Sequence, residues 1–217
     1  MNRTRHSLFF VLAAVVVATA CARTRSNSMM TATGPEAAKA KARADSTRWP
    51  YTAADIRFMS TMIHHHAQAI VMAKMAPTHG ASESVQRLCQ RIINAQSDEI
   101  AMMSRWLSDR NQPVPQPNPA GEVMQMGGMT HTMLMPGMLT EEQMKQLDAA
   151  RGMEFDRLFL TFMIQHHRGA ITMVDSLFNT AGAGQDEIVF KFANDVQADQ
   201  STEIDRMEQM LAALPQK

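Results

Sequence analysis

Residues 62–76 read "MIHHHAQAIVMAKMA", and residues 163–177 read "MIQHHRGAITMVDSL". In both stretches a histidine pair begins three residues after a methionine, and the apolar residues recur at the spacing of a helix face. Imidazoles inside an apolar helix face need partners. The repeat therefore raises the question of what these histidines contact.

The two stretches belong to a longer duplicated unit. A constant offset of 101 residues relates them, and an offset of 104 relates the segments that follow each of them. The matched positions include Asp55 with Asp156, Gln96 with Gln200 and Glu99 with Glu203. Each copy contains a histidine-bearing helix and a second helix, which indicates a duplicated helical hairpin.

Capping signals and helix breakers give the limits of the helices. Thr52 with Asp55, and Thr140 with Gln143, have the spacing of a capping box at a helix start. Proline and glycine mark the helix ends. The predicted helices run from residue 52 to the turn at 77–80, from 84 to about 107, from about 140 to 180 with a break near Gly152, and from about 186 to 214.

These helices predict an all-α fold. Each helix has one apolar face, and two hairpins can bury these faces only against each other. We therefore expect an antiparallel four-helix bundle, built from two tandem helical hairpins, over residues 51–214. Hairpin one covers residues 51–110, a methionine-rich crossover covers 111–139, and hairpin two covers 140–214.

Residues 1–20 have the features of a signal peptide. Arg3 and Arg5 precede the apolar run "SLFFVLAAVVVA", which is too short to span a membrane, and small residues lead to Cys21. We expect cleavage before Cys21 and lipidation of its thiol, with ordinary signal cleavage as the alternative. Residues 21–50 would then be a lipid-anchored flexible linker, and the protein would lie in the periplasm or cell envelope, attached to the membrane.

Composition excludes several classes of function. Without residues 1–20 the chain has 19 basic and 21 acidic residues, so nothing indicates a nucleic-acid partner. If Cys21 is modified, Cys89 has no partner for a disulfide, and Ala193 replaces it in the second copy. We expect neither a disulfide-stabilised fold nor a thiol enzyme.

A helical wheel selects the histidines that face the core. At about 100° per residue, His65 lies on the same stripe as Met62, and His66 lies beside that stripe. His64 points away from the stripe, and the second copy has Gln165 there. We therefore expect His64 at the surface.

The donor atoms favour copper. Thioether sulfur is a soft ligand that prefers Cu(I) and forms no disulfide outside the cytoplasm, whereas imidazole binds both Cu(I) and Cu(II). The crossover stretch "MQMGGMTHTMLMPGM" has no helix face on which its methionines could pack, so we expect a flexible capture loop. The predicted bundle ligands are Met62, His65, His66, Met72, Met163, His166, His167 and Met173. The predicted crossover ligands are Met124, Met126, Met129, His131, Met133, Met135 and Met138.

Two other interpretations remain open. In the first, the histidines bond to Gln96, Glu99 and their counterparts in a structural polar layer, and the chain is a cell-envelope interaction module. In the second, a core metal cycles in a metal-dependent oxidase. A di-iron carboxylate centre would need four acids, and only Glu99 and Glu203 lie near the core.

We expect a copper-binding protein for buffering, delivery or tolerance, with a copper donor or acceptor protein as partner and no required catalysis.

The stretches "FMSTMIHHHAQAIVMA", "DRLFLTFMIQHHRGAITMV", "AQSDEIAMMSRWL" and "ADQSTEIDRMEQML" resemble the exported bacterial family called domain of unknown function 305. The resemblance covers residues 50–214, and "MPGMLTEEQM" before the second copy is typical of the family. It implies a ferritin-like fold. Some relatives bind copper in the periplasm and contribute to copper tolerance, which implies metal-binding roles for the eight bundle residues named above. The extra His64 departs from the family pattern, and not all relatives share the lipidation motif.

Overall fold

The structure is a computed structural model, and it describes residues 34–48 and 50–215. The predicted signal peptide and Cys21 lie outside these residues. The elements of the described part are α1 (Pro35–Arg48), α2 (Ala53–Lys74), α3 (Glu83–Asp109), β1 (Glu122–Met126), β2 (Met129–Met133), α4 (Glu141–Ala149), α5 (Gly152–Phe178) and α6 (Glu187–Ala212). None of the helices described is both long enough and apolar enough to cross a membrane.

Helices α2 and α4 begin where the sequence predicts. The Thr52 hydroxyl accepts the backbone N–H of Asp55, and the Asp55 carboxylate accepts the backbone N–H of Thr52. Thr140 and Gln143 make the same two bonds at the start of α4. Both predicted capping boxes are confirmed, because each side chain satisfies a helix N–H group that lacks an intrahelical acceptor.

The third predicted helix is divided at the expected place. Helix α4 ends at Ala149, and α5 begins at Gly152, whose φ of 58° suits glycine. The backbone N–H of Gly152 donates to the carbonyl of His79 at 2.8 Å. Nε2 of His79 in turn lies 3.0 Å from the carbonyl oxygen of Asp148. These bonds attach the turn between α4 and α5 to the turn between α2 and α3.

Four long helices form the predicted bundle. Helix α2 packs against α3, α5 packs against α6, and the two hairpins meet where α2 packs against α5. The short connections within each hairpin make its helices antiparallel. Buried apolar side chains form two clusters, and the histidines of α2 lie between them along the helix.

Reciprocal hydrogen bonds join the two hairpins. Asp55 in the first turn of α2 accepts the N–H of Gly184, which lies between α5 and α6, at 2.7 Å. Asp156 at the matching position of α5 accepts the N–H of Ser82, between α2 and α3, at 3.2 Å. Both aspartates are almost fully buried. Each hairpin therefore fixes the turn of the other.

Residues 122–133 of the crossover form a β-hairpin, where we expected a flexible loop. Strands β1 and β2 pair antiparallel, with Met126 opposite Met129. Gly127 and Gly128 connect them with φ values of 59° and 80°, as a two-residue type I′ turn requires. The Gly-Gly pair was the sequence signal for this turn. Buried Gln68 of α2 accepts the N–H of Leu139 at 2.6 Å and so fixes the end of the crossover.

The segment predicted to be a flexible linker contains a helix. Helix α1 occupies Pro35–Arg48, its Ala42 is buried, and it contacts α3. The alanines and lysines of this segment favour a helix even without an apolar stripe. The structure thus differs from a flexible linker over these residues, and the role as a lipid-anchored tether stays a prediction.

Candidate metal centre

Helices α2 and α5 bring one histidine from each repeat into contact. His65 and His166 are fully buried, and their ring centroids are 3.8 Å apart with 37° between the ring planes. His66 and His167 are equally buried, with centroids 6.3 and 6.4 Å from those of His65 and His166. These four imidazoles form one continuous buried group, which we call the histidine cluster.

The outer histidines of the cluster bond to glutamates on the second helix of their own hairpin. Nε2 of His66 lies 2.6 Å from Oε2 of Glu99, and Nε2 of His167 lies 2.7 Å from Oε2 of Glu203. An ionised carboxylate only accepts hydrogen bonds, so both Nε2 atoms carry the proton. A carboxylate in this position fixes the orientation of the ring and leaves the Nδ1 lone pair as a stronger ligand.

A backbone carbonyl orients His65. Its Nε2 lies 3.0 Å from the carbonyl oxygen of Pro136, which also only accepts, so Nε2 again carries the proton. The turn that contains Pro136 lies directly on α5, because a Cβ atom at Gly169 would be 2.0 Å from that same oxygen. Glycine at position 169 therefore allows the crossover to reach His65.

Each imidazole of the histidine cluster has a buried ring nitrogen without a hydrogen-bond partner. This holds for Nδ1 of His65, His66 and His167, and for both ring nitrogens of His166. An unpaired buried polar group costs roughly 1–3 kcal/mol. Five such nitrogens in one cluster require an explanation, and an unpaired lone pair on neutral imidazole is a metal ligand.

Burial keeps the inner imidazoles neutral. Loss of hydration, followed by the adjacent His66, lowers the pKa of His65 to about 3. Loss of hydration, followed by the adjacent His65, lowers the pKa of His166 well below its usual value. Metal ions bind the neutral form of imidazole, so at neutral pH no proton has to leave these two rings before a metal binds.

Buried methionines lie on both sides of the histidine cluster. The antiparallel packing of α2 and α5 places Met62 in the same buried cluster as Met173, and Met72 in the same buried cluster as Met163. The motif in the sequence groups Met62 with Met72, whereas in the fold each of them shares a buried cluster with a methionine of the other repeat. Both hairpins therefore supply thioethers at each side.

The predicted crossover ligands fall into two groups. Met135 and Met138 are buried and pack in the same cluster as Met62 and Met173. We expected core packing to explain the crossover methionines poorly, and that was wrong for these two, because the turn that holds them lies on the bundle. The predicted ligands on the β-hairpin are Met124, Met126, Met129, His131 and Met133. His131 is exposed.

A pocket of about 350 Å³ connects the β-hairpin with the bundle. Met133, Met135 and Met173 line it, together with residues from α2 and α5. Met129 at the end of the hairpin is 64% exposed, whereas Met173 is almost fully buried. Thioethers are thus present at the surface, in the pocket wall and in the buried cluster that contains Met62, Met135 and Met173.

His64 is buried, and our expectation of a surface residue was wrong. Only 7% of it is exposed, and its Nδ1 accepts the backbone N–H of Asn118 at 3.1 Å. Burial lowers its pKa, against the opposing effect of Glu122. The helical wheel located the outer face of α2 correctly, but the crossover covers that face.

Within residues 34–48 and 50–215, no three side chains of His, Cys, Asp or Glu are arranged to hold one metal ion. A centre at the histidine cluster would therefore need thioethers to complete its ligands. Burial and then Asp156 raise the pKa of the buried Cys89 thiol to about 12, which disfavours the thiolate form that would bind a metal. Cys21 lies outside the described residues.

The predicted ligand set omitted the residues that orient the histidines. Glu99 and Glu203 bond to the outer rings, and the offset of 104 residues already marked them as an equivalent pair. Their position at the margin of the apolar face was the signal for this role. The carbonyl of Pro136 left no such signal, because a backbone acceptor imposes no residue type.

A family model described as "Domain of unknown function (DUF305)" matches residues 55–211. No curated protein matches the chain. A DUF305 protein from Streptomyces coelicolor, described as a candidate secreted protein, is 30% identical with a TM-score of 0.61, over 73% of this chain and 92% of that chain. A DUF305 fragment from Deinococcus radiodurans is 26% identical with a TM-score of 0.61, over 76% and 99% of the two chains.

A third similar structure is CopM, which has been crystallised in Cu(I)-bound, Cu(II)-bound and Ag-bound forms. The Cu(I)-bound form is 29% identical with a TM-score of 0.54, over 72% of this chain and 94% of that chain. The Cu(II)-bound form is 30% identical with a TM-score of 0.55, over 73% and 95%.

Proposed function

The chain belongs to the DUF305 family, and on that premise we propose that it binds copper in the cell envelope, as Cu(I) and also as Cu(II), to buffer the ion, deliver it or provide tolerance. The likeness to CopM in its copper-bound and silver-bound forms supports a metal-ion ligand. Binding and release account for the features of the bundle without a catalytic step.

The unpaired ring nitrogens of the histidine cluster are the observation that carries this proposal. A structural polar layer accounts for the bonds from His66 to Glu99 and from His167 to Glu203. It does not account for Nδ1 of His65, or for His166, whose ring nitrogens make no hydrogen bond of normal geometry in the described structure. A copper ion would bind the one ring nitrogen of each neutral imidazole that carries the lone pair, because imidazole binds both oxidation states of copper.

The neighbouring methionines favour Cu(I). Met62 and Met173 lie in one buried cluster and Met72 and Met163 in the other, so imidazole and thioether donors from both repeats are available around the histidines. Thioether sulfur selects soft ions such as Cu(I), whereas Mg²⁺ and Ca²⁺ prefer oxygen. We infer that the copper centre is shared between the two hairpins.

The β-hairpin then acts as the site of first contact. Met129 and His131 expose soft and borderline donors to solvent, and Met133 lines the pocket that leads to Met135 and Met173. An ion captured by the hairpin could then pass to the thioethers of Met133, Met135 and Met173, which line the pocket. The same route in reverse would present copper to an acceptor protein.

The location in the cell envelope rests on the amino-terminal sequence. Residues 1–20 have the composition of a signal peptide, and lipidation of Cys21 would attach the chain to a membrane. The related Streptomyces protein is described as a candidate secreted protein. Methionine ligands suit such a compartment, because a thioether cannot be lost to disulfide formation.

A competitive Cu(I) titration with a chromophoric chelator tests the proposal. We expect the wild-type protein to compete for Cu(I), and the variant His65→Leu/His166→Leu to lose at least tenfold in affinity. A hairpin variant, in which the residues replaced by leucine are Met124, Met126, Met129 and Met133, should retain most of the equilibrium affinity and take up Cu(I) more slowly. Circular dichroism would verify that each variant is folded.

A matched methionine variant is the control. Four methionines outside the candidate centre, Met75, Met102, Met144 and Met153, are changed to leucine, and Cu(I) affinity should stay within twofold. Equal competition by the wild type and the histidine variant would place copper elsewhere in the chain. If the wild type does not compete at all, the copper proposal is wrong and the polar-layer interpretation gains support.

A further inference from the structure

A second pocket lies between α3 and α6. Its volume is about 430 Å³. The oxygen-bearing side chains that line it include Gln96, Glu99, Asp199, Gln200 and Glu203. Four of these residues form two equivalent pairs in the duplication, so the pocket lies where the second helices of the two repeats face each other.

Two amide side chains at this pocket are buried without a partner for their oxygen. Gln96 is 3% exposed and Gln200 is 4% exposed, and neither Oε1 accepts a hydrogen bond in the described structure. Unpaired buried carbonyl groups are uncommon, because each loses its hydration without compensation. The same unpaired oxygen at both equivalent positions points to a bound ligand that supplies the missing partner.

The carboxylates of Glu99 and Glu203 at the pocket can accept further hydrogen bonds or bind an ion. Glu99 and Glu203 each use Oε2 for one imidazole, and an ionised carboxylate has about four lone-pair positions. Their side chains are 23% and 24% exposed, so they face the pocket as well as the histidine cluster. A ligand in the pocket would therefore contact the same glutamates that orient His66 and His167.

The charge of the pocket favours a cation. Burial is the first cause that raises the pKa of Asp199, and the negative charges of Glu99, Asp195 and Glu203 add to it against the opposing charge of Lys191. Arg91 and Arg206 also line the pocket, but three carboxylates outnumber two guanidinium groups. An anion in the pocket would be repelled by the carboxylates of Asp199 and both glutamates, whereas a cation would be attracted to the same oxygen atoms.

We propose that this pocket binds one hard divalent cation, Ca²⁺ or Mn²⁺, through oxygen atoms of Gln96, Gln200, Glu99 and Glu203. Carboxylate and neutral amide oxygens are the ligands that such ions prefer, and no thioether lines the pocket. Amide oxygens are required, because no three acidic or imidazole side chains of the described residues converge on one point. The bound cation holds the glutamates in place beneath the histidine cluster.

Titration of the protein with Mn²⁺, followed by the electron paramagnetic resonance signal of the free ion, tests this site. We expect one Mn²⁺ per chain, and its displacement by Ca²⁺ decides which of the two ions binds more tightly. Gln96→Leu/Gln200→Leu removes both amide oxygens at nearly constant volume, and Mn²⁺ affinity should fall at least tenfold. Asp199→Asn, at an exposed position that does not threaten folding, should weaken binding severalfold.

Exposed aspartates on the same helices provide the control. Asp98→Asn on α3 and Asp205→Asn on α6 remove a charge outside the pocket and should leave Mn²⁺ affinity unchanged. The variant His65→Leu/His166→Leu should retain Mn²⁺ binding, which separates this site from the copper centre. Binding of neither ion, unchanged binding in the glutamine variant, or equal loss in the control variants would overturn the proposal.

Discussion

The imidazole rings of His65 and His166 lie closer to each other than either ring lies to that of the adjacent histidine in the sequence. Their ring centroids are 3.8 Å apart, whereas His65 is 6.3 Å from His66 and His166 is 6.4 Å from His167. The histidine cluster is therefore a product of the contact between α2 and α5, and one hairpin alone has only half of it. Changes that loosen this contact should reduce both stability and metal binding.

The buried imidazoles predict loss of stability in acid. The pKa of His65 is about 3 in the folded protein and near 6.5 in the unfolded chain, and the pKa of His166 is lowered in the same direction. The unfolded chain thus binds more protons below pH 6.5. The free energy of unfolding should be largest above that pH and fall toward pH 3, by up to roughly 1.4 kcal/mol per pH unit for each ring.

Urea unfolding between pH 7.5 and pH 4.5 measures this slope. The variant His65→Gln/His166→Gln should show a shallower pH dependence over this interval. His131→Gln changes an exposed histidine on the β-hairpin and should leave the slope as it is in the wild type. A wild-type stability that stays constant down to pH 4.5 would contradict burial of neutral rings.

The reciprocal aspartate contacts predict a large and specific loss of stability. Asp156→Ala leaves the N–H of Ser82 without its carboxylate acceptor, and the free energy of unfolding should fall by roughly 2–3 kcal/mol. Asp55→Ala should cost at least as much, because it also removes the capping box of Thr52. Chemical denaturation measures both effects.

Asp175→Ala is the matched control for these changes. Asp175 is exposed on α5, and its replacement should alter the free energy of unfolding by no more than about 0.5 kcal/mol. If Asp156→Ala and Asp175→Ala have the same small effect, the contact between Asp156 and Ser82 does not hold the hairpins together.

The close contact between the crossover and α5 predicts that Gly169 tolerates no side chain. In Gly169→Ala the Cβ would lie 2.0 Å from the carbonyl oxygen of Pro136, so the turn must move away from His65. We expect a loss of roughly 1–3 kcal/mol in stability from overpacking, together with weaker Cu(I) binding. Asp175→Ala, on the exposed side of α5, should leave both quantities close to their wild-type values. Wild-type stability in Gly169→Ala would show that the turn does not lie where the structure has it.

Much of the bundle could be predicted from the sequence, because its signals are local or repeated. The capping boxes at Thr52 and Thr140, the break near Gly152 and the duplicated hairpins all appear in the structure. The wheel also placed His65 and Met62 on the buried face, since a regular helix fixes the direction of each side chain.

The rest depended on contacts between distant segments. His64 is buried because residue 118 of the crossover lies over it, and no helical pattern contains that information. The pairing of Met62 with Met173 follows from the antiparallel contact of α2 with α5, which the motif alone does not give. The helix of residues 35–48 forms without an apolar stripe, so periodicity gave no indication of it.

The buried thiol predicts an unreactive cysteine. Burial raises the pKa of Cys89 to about 12, so almost no thiolate exists at pH 8. In a Cys21→Ser variant, which leaves Cys89 as the only thiol, an aromatic disulfide reagent should react at least a hundredfold more slowly with the folded protein than with the unfolded protein. Cys89→Ala should leave Cu(I) affinity unchanged. Rapid labelling of the folded protein would show that Cys89 is accessible.

Silver(I) offers a test of the copper centre that involves no redox change. An ion that binds only the folded protein stabilises it by about 2.7 kcal/mol at a hundredfold excess over its Kd, which should raise the Tm by roughly 5–10 °C for a chain of this size. Differential scanning calorimetry in a chloride-free buffer measures the shift. His65→Leu/His166→Leu should lose most of it, whereas the hairpin variant with four methionines replaced should keep most of it. If the hairpin variant loses the shift and the histidine variant keeps it, the soft-metal site lies on the β-hairpin and the histidine cluster is not the copper centre.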